Sequence, residues 1–235
     1  LCLGAVRVRG QEVLPDLEIG NSEETPMRRP EMGGGEARAQ TIAKCLRDLR
    51  SDNPEVRRAA VLLLGKYEDP AAVAALTGAL SDPHASVRRA ALVSLGESGI
   101  VRPEAAAGVL RLLQDPDVHT RRIASSMLDA VVGALPVRMV QNGRTRTVER
   151  TFPPGAVKAI REAFGDPDET VRRNMLDNAA VLREALTPDL LLPRLQDVSQ
   201  EVRVLAVEAC RRHVPPLELT GALGALADEP GEVVR

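Results

Sequence analysis

The chain has 235 residues, with 31 Lys and Arg against 33 Asp and Glu, and a formal net charge of −2. It holds 3 aromatic residues (Tyr67, Phe152 and Phe164) and no Trp, which argues against stacking platforms for single-stranded nucleic acid and aromatic cages for cations. Apolar residues still make up 44%, so the core must be built from Ala, Leu and Val. The near-neutral charge argues against whole-chain binding of a polyanion.

At the start of the chain, Leu1-Cys2-Leu3-Gly4-Ala5 reads as the tail of a signal-peptide apolar region, with Val8-Arg9-Gly10 near a cleavage site. That reading implies an exported protein of the periplasm or cell envelope. The other reading is an interior loop of a longer, cytoplasmic chain. No apolar stretch of about 18 residues occurs, so no membrane-spanning helix is expected. Residues 11–35 carry Glu12, Asp16, Glu18, Glu23, Glu24 and Glu31 against Arg28 and Arg29, broken by Pro15, Pro26, Pro30 and Gly33-Gly34-Gly35. This composition predicts a flexible acidic linker. Residues 36–235 are neutral in sum and form the predicted folded part.

That part repeats itself. Val56-Arg57-Arg58-Ala59-Ala60 returns as Val87-Arg88-Arg89-Ala90-Ala91, then as Thr120-Arg121-Arg122-Ile123-Ala124, Val171-Arg172-Arg173 and Val202-Arg203-Val204. Asp82, Asp115, Asp166 and Asp197 each stand six residues before the first Arg, and Asp52 stands five before Arg57. Pro83, Pro116 and Pro167 follow the Asp directly. Asp-Pro predicts a helix start, the carboxylate capping the first turn and Pro taking the first helical position. Each unit is then a helix, a tight turn and a second helix. On the second helix, residues one before, three after and seven after the first Arg form one apolar stripe. Ala60, Ala91 and Ala124 are its small members and Leu64, Leu95 and Leu128 its large ones. Gly65 and Gly96 fall where the helix should stop.

These residues resemble the HEAT repeat, most closely its short bacterial variety, over roughly residues 37–235. The resemblance implies an all-α fold, a right-handed α-α superhelix of helix pairs, here about five repeats and a truncated sixth that starts at Pro216. The fourth repeat departs most: Asn174, Met175, Asn178 and Ala179 replace the usual columns, which predicts looser packing. The resemblance also implies a structural ladder in which Arg57, Arg88, Arg121, Arg172 and Arg203 bond to Asp82, Asp115, Asp166 and Asp197 or to carbonyls of their own or the next repeat. In related solenoids the second helices line the concave face. Arg58, Arg89, Arg122 and Arg173 then stand in register there, either as a solvated mixed-charge face or as a row for an anionic partner.

Helical periodicity disappears over 137–153. Asn142-Gly143 is a two-residue turn signal between alternating residues, which predicts a β-hairpin inserted after the third repeat. Arg138, Arg144, Arg146 and Arg150 against Glu149 make it basic. A lone hairpin is marginal in water, so it should lean on the solenoid through Val140, Val148 or Phe152. It is either an insertion without a partner or a basic arm that touches one.

Little else suggests chemistry. Cys45 and Cys210 read as small core residues, and no Cys-x-x-Cys or Cys/His cluster predicts a metal. His84 and His119 fall near the same turn of successive repeats, where a shared metal is conceivable but a surface role is the plainer reading. No nucleophile elbow, phosphate-cradling loop or His-Glu zinc motif appears. The expectation is a monomeric, non-enzymatic scaffold without catalytic residues, cofactor or metal, which binds a protein or peptide. The rival readings are a regulatory domain of a larger enzyme, a relative of chromophore (bilin) lyases with repeats of this style, and a nucleic-acid-binding solenoid. The neutral charge and missing aromatics disfavour the last.

Overall fold

The computed structural model describes residues 35–98, 101–142 and 145–228, with side chains at all of these but 140, 142, 145–148 and 225–228. The predicted signal remnant (1–10), nearly all of the predicted linker and the end of the sixth repeat lie outside the described residues. The chain divides into two units, residues 1–38 and 39–235. Of the first, residues 35–38 are described, as the opening turn of a helix.

The second unit is a stack of helix pairs. The first helices of successive repeats are α1 (Gly35–Asp48), α3 (Pro70–Ala79), α5 (Pro103–Arg111), α8 (Ala156–Ala163), α10 (Pro188–Leu191) and α12 (Pro216–Asp228). The second helices are α2 (Pro54–Leu64), α4 (Ala85–Glu97), α6 with α7 (Val118–Ser126 and Leu128–Gly133), α9 (Glu169–Asp177) and α11 (Gln200–His213). Each second helix packs on the next, α2 on α4, α4 on α6, α6 on α9 and α9 on α11, while α3 meets α5 and α5 meets α8. Two layers of helices thus enclose one continuous core, as the predicted solenoid requires.

The apolar stripe read from the sequence is the core. Leu64, Leu95, Leu128 and Cys210 are buried in the column seven residues past the first Arg. Ala60, Ala91, Ala124, Met175 and Ala206 are buried in the column three past it. The column before the Arg is buried at Val87, Thr120, Val171 and Val202, and only Val56, on the first second helix, is partly exposed. Phe164 takes a column held by Leu80, Leu113 and Leu195, two residues before the ladder Asp, and is equally buried.

Two expectations need correction. The Asp of Asp-Pro is not the helix cap. The N-caps stand two residues later, at His84, Asp117, Asp168 and Ser199. Pro83, Pro116 and Pro167 therefore lie in the turn, outside the helix. In the first repeat the residue equivalent to these Asp is Ser51, not Asp52. Arg57 Nη1 donates to the carbonyls of Ser51 and Asp52, as Arg88 Nη1 does to those of Asp82 and Pro83. In the fourth repeat Met175 and Ala179 are buried, and a cavity of about 110 Å³ lies between α9 and α11 against Leu176, Ala179, Leu205 and Ala209.

Asn174 of that repeat has a specific task. Ser125 and Ser126 hydroxyls donate to the carbonyls of Arg122 and Ile123, three residues back. Such local bonds compete with the helical ladder and bend helices, and α6 gives way to α7 at Met127. Asn174 on α9 donates to Ser125 Oγ at 2.9 Å and to the Arg122 carbonyl at 3.3 Å, so the neighbouring helix satisfies the distorted segment.

The insertion is a hairpin, β1 (Val137–Asn142) and β2 (Thr145–Arg150), antiparallel with Val137 opposite Arg150 and Asn142 opposite Thr145. Asn142 is thus the last strand residue rather than part of the turn, and Gly143 and Arg144 lie outside the described residues. The hairpin base is anchored by Thr151 N–H to the Pro136 carbonyl (2.8 Å) and Arg150 Nε to the Val132 carbonyl (2.9 Å). Phe152 packs half-buried against the core. The side chains of Val140 and Val148 lie outside the description.

Helix approach is closest at Gly65, where a Cβ would stand 2.6 Å from Ser94 Cβ on the next second helix. Gly65→Ala is expected to force α2 from α4 and cost about 1–3 kcal/mol. Gly78→Ala on α3, where a Cβ meets nothing within 4 Å, should be neutral or stabilising by up to about 1 kcal/mol. Urea unfolding of both variants measures the difference.

Candidate functional site

The turns between first and second helices carry a continuous polar ladder. Arg57 Nε donates to Asp82 Oδ2 at 2.7 Å and its Nη2 to Oδ1 at 2.8 Å. The same two-pronged contact joins Arg88 to Asp115 (2.7 and 2.7 Å), Arg121 to Asp166 (2.7 and 3.1 Å) and Arg172 to Asp197 (2.7 and 2.7 Å). In every case the carboxylate belongs to the next repeat. The third nitrogen, Nη1, donates to two carbonyls of its own turn, as in Arg172 to Asp166 and Pro167. Each Asp Oδ1 in addition accepts the N–H two residues on: His84, Asp117, Asp168 and Ser199. A planar fork that meets a carboxylate with both prongs is the arrangement that suits arginine and not lysine. In the first repeat, Ser51 Oγ accepts from Asn53 N–H at 3.2 Å and so keeps the turn without a carboxylate. Arg203 keeps its Nη1 bonds to the Asp197 and Val198 carbonyls.

The second arginines form an outer ladder. Arg89 Nη1 meets Asp117 at 3.1 Å, Arg122 Nε meets Asp168 at 3.0 Å, and Arg173 Nη1 meets Glu201 at 2.8 Å, again one repeat on. Arg58 instead pairs with Glu55 of its own helix at 3.1 Å, both exposed. The residue at the position of Asp117 and Asp168 in its next repeat is His84, whose side chain makes no capping bond to α4 and offers no carboxylate. The row therefore alternates in sign, and an anionic ligand would have to displace carboxylates already in place. Sequence reasoning missed this ladder. The signal was present in part, because Asp117 and Asp168 stand two places after Asp115 and Asp166.

Asp82, Asp117 and Asp197 are pushed up by burial. Hydrogen bonds from Arg57, Thr120 and Arg172 respectively, with backbone N–H donors, outweigh it and leave all three below the ordinary carboxylate value. The Arg122 fork is the largest influence on Asp168 and lowers it. Burial pushes the Cys210 thiol up to about 11, so it is inert core rather than a nucleophile. Among the described residues no group of His, Cys, Asp and Glu could hold a metal ion, and no helix is long and apolar enough to cross a membrane.

The hairpin lies elsewhere. It joins the end of α7 to the start of α8, so it belongs to the edge where second helices end. The ladders belong to the edge where second helices begin. The segment from Val118 to Gly133 separates the two edges by roughly 20 Å at 1.5 Å per residue. The two arginine groups singled out in the sequence do not form one site. Arg138 reaches Glu149 across the strands at 3.6 Å and is otherwise exposed. Arg150 is structural, through Val132. Arg144 and the Arg146 side chain lie outside the described residues. Val137 and Met139, 61% and 64% exposed, present apolar surface from β1.

Residues 40–128 match the family model for HEAT repeats. No curated protein matches the chain. Among solved structures, the complex of CpcE and CpcF of phycocyanin lyase from Nostoc sp. PCC7120 is similar at 22% identity, covering 93% of this chain and 78% of that one, with a TM-score of 0.50. The YIBA protein of Escherichia coli is similar at 17% identity, covering 81% of this chain and 64% of that one, with a TM-score of 0.56. Computationally designed armadillo repeat proteins for modular peptide recognition match at 17% identity, 81% and 94% coverage and a TM-score of 0.51. The shared property is the fold, a HEAT and armadillo type of solenoid.

Two predictions come from the ladders. The lowered carboxylates bind protons less readily folded than unfolded. Their contribution is therefore present above the ordinary value of 3.8 and lost as pH falls through the folded values. Asp197→Asn should flatten the acid limb of a melting-temperature profile and cost about 3–5 kcal/mol at neutral pH, because it strands the buried Arg172. His84→Asp should stabilise by about 1 kcal/mol, since it caps α4 and gives Arg58 a partner one repeat on. A melting comparison with wild type reads it directly.

Proposed function

We propose that this chain is a non-enzymatic HEAT-repeat scaffold that binds a protein through an extended, acidic segment laid along the hairpin. The observation that carries the reading is the hairpin itself. It is a two-stranded sheet, so each strand leaves an outer edge of backbone donors and acceptors that an added strand pairs with. Val137 and Met139 are exposed on it, and Arg138, Arg144, Arg146 and Arg150 give it a positive charge. An acidic strand with apolar residues at alternate positions complements all three features. Designed armadillo proteins of the same fold were made for modular peptide recognition, which is a precedent for display along a solenoid. The second-helix layer is the rival surface, and its paired arginines count against it.

The test uses fluorescent peptides of alternating acidic and apolar residues. Arg138→Glu with Arg146→Glu is expected to weaken binding roughly tenfold or more, as charge reversal across an interface does. Arg89→Glu with Arg122→Glu should leave it unchanged. The opposite pattern would move the site to the second helices, and no binding to wild type would overturn the reading.

A further inference from the structure

One column of the core is filled unevenly. Seven residues past the ladder arginine stand Leu64, Leu95 and Leu128, but in the fourth repeat the residue is Ala179. The helix that carries this repeat adds to the deficit. It stops at Asp177, five residues past its arginine, whereas α11 runs ten past its own, to His213. The last turn of α11 therefore has no helical counterpart on α9, and the residues there, Ala179 and Ala180, are small. The result is the cavity of about 110 Å³ between the two helices, with apolar walls from Leu176, Ala179, Leu205 and Ala209.

Polar groups stand at the same cavity. His213 lines it, and its Nε2 is buried with no hydrogen-bond partner among the described residues. A buried nitrogen in that state costs stability, which a polar ligand atom within its reach restores. Burial and the charges of Arg212 and Arg183 hold the imidazole below its ordinary value, so it is neutral at pH 7. A neutral imidazole offers a donor or an acceptor at Nε2 according to its tautomer, and a hydroxyl meets both cases. Charged groups suit the site less. The two arginines oppose an ammonium beside His213, and Asp177 and Glu208, which line the same cavity, oppose a carboxylate. Arg212 does not invite one, since its Nη2 already meets Glu208 Oε1 at 2.6 Å. A dry cavity of about 150 Å³ accepts benzene, so this one takes about four or five heavy atoms. We propose that the cavity between α9 and α11 is a binding site for a small uncharged alcohol, its branched apolar end against Leu176, Ala179, Leu205 and Ala209 and its hydroxyl on His213 Nε2. The site is built from elements other than the hairpin, so it stands or falls separately from the peptide surface.

The probe is tert-butanol, titrated into the full chain at roughly millimolar concentration, the range a ligand of this size can reach. Nuclear magnetic resonance of the imidazole nitrogens reads the result, with the exposed His84 and His119 as internal references. The His213 signal should move and saturate while the other two stay in place. Ala179→Leu, which restores the residue of the first three repeats, should abolish the shift, with the melting temperature held or raised. His213→Phe keeps a ring and removes Nε2. It should weaken binding about tenfold, read at the backbone amides of Ala179 and Ala209. The tert-butylammonium ion, of the same shape, should bind roughly tenfold or more weakly than the alcohol. A His213 signal that does not respond, meaning a cavity for water only, would overturn the proposal. So would binding unchanged in Ala179→Leu or in His213→Phe, or an ammonium that binds as well as the alcohol. If Ala179→Leu fails to fold, His213→Phe and the ammonium comparison give the answer.

Discussion

One guanidinium spans two turns, and the remaining architecture is arranged around that fact. Three nitrogens of Arg57, Arg88, Arg121 and Arg172 are committed, two to the carboxylate of the next repeat and one to carbonyls of its own turn. The carboxylate is in turn committed to the N–H that precedes its helix. These groups are largely removed from water, and a buried ion pair of this kind seldom adds much net stability over an apolar replacement. Its strength is geometric. A planar fork and a carboxylate that meet along two parallel bonds fix distance and orientation together. Successive turns are held at one spacing, and the Ala, Leu and Val columns fill the volume that this spacing leaves.

The two edges of the array consequently differ in character. At the turn edge every second helix begins with an extended cap residue, and all but α2 place a Val or Thr in the core just behind it. At the far edge nothing imposes a common end. There α4 runs for 13 residues, α9 for 9 and α11 for 14, while the second helix of the third repeat breaks in two. Local chemistry decides each case, such as the serine hydroxyls that bend α6 and the Asn174 amide that satisfies it. Variation collects at the edge the ladder does not govern, and the hairpin is its largest instance.

Much of this was written in the residues themselves. Recurrence of Val-Arg-Arg and Asp-Pro located five turns, and the spacing of Leu64, Leu95 and Leu128 placed the core. Asn142-Gly143 announced the hairpin to within one residue of its turn. The misreadings share a cause. Asp82, Asp115, Asp166 and Asp197 look like caps because they sit beside a proline before a helix, yet their oxygens are claimed by an arginine from another repeat. Ser51 was invisible beside Asp52 because its equivalence depends on which carbonyls Arg57 touches. The outer ladder was obscured in the same way, since Arg122 and Asp168 are brought together across the inserted hairpin. Long-range pairing is a property of the stacked array, and a one-dimensional pattern records it only as spacing.

The rung between Arg121 and Asp166 spans 45 residues of chain where Arg57 to Asp82 spans 25. Its Nε to Oδ2 distance is nevertheless 2.7 Å, as in the others. The stack does not register how much polypeptide lies between α7 and α8, because the pairing that sets its pitch closes behind the loop rather than through it. The connection is therefore an interchangeable port. A segment of different length, charge or structure can be carried there without altering the repeats on either side.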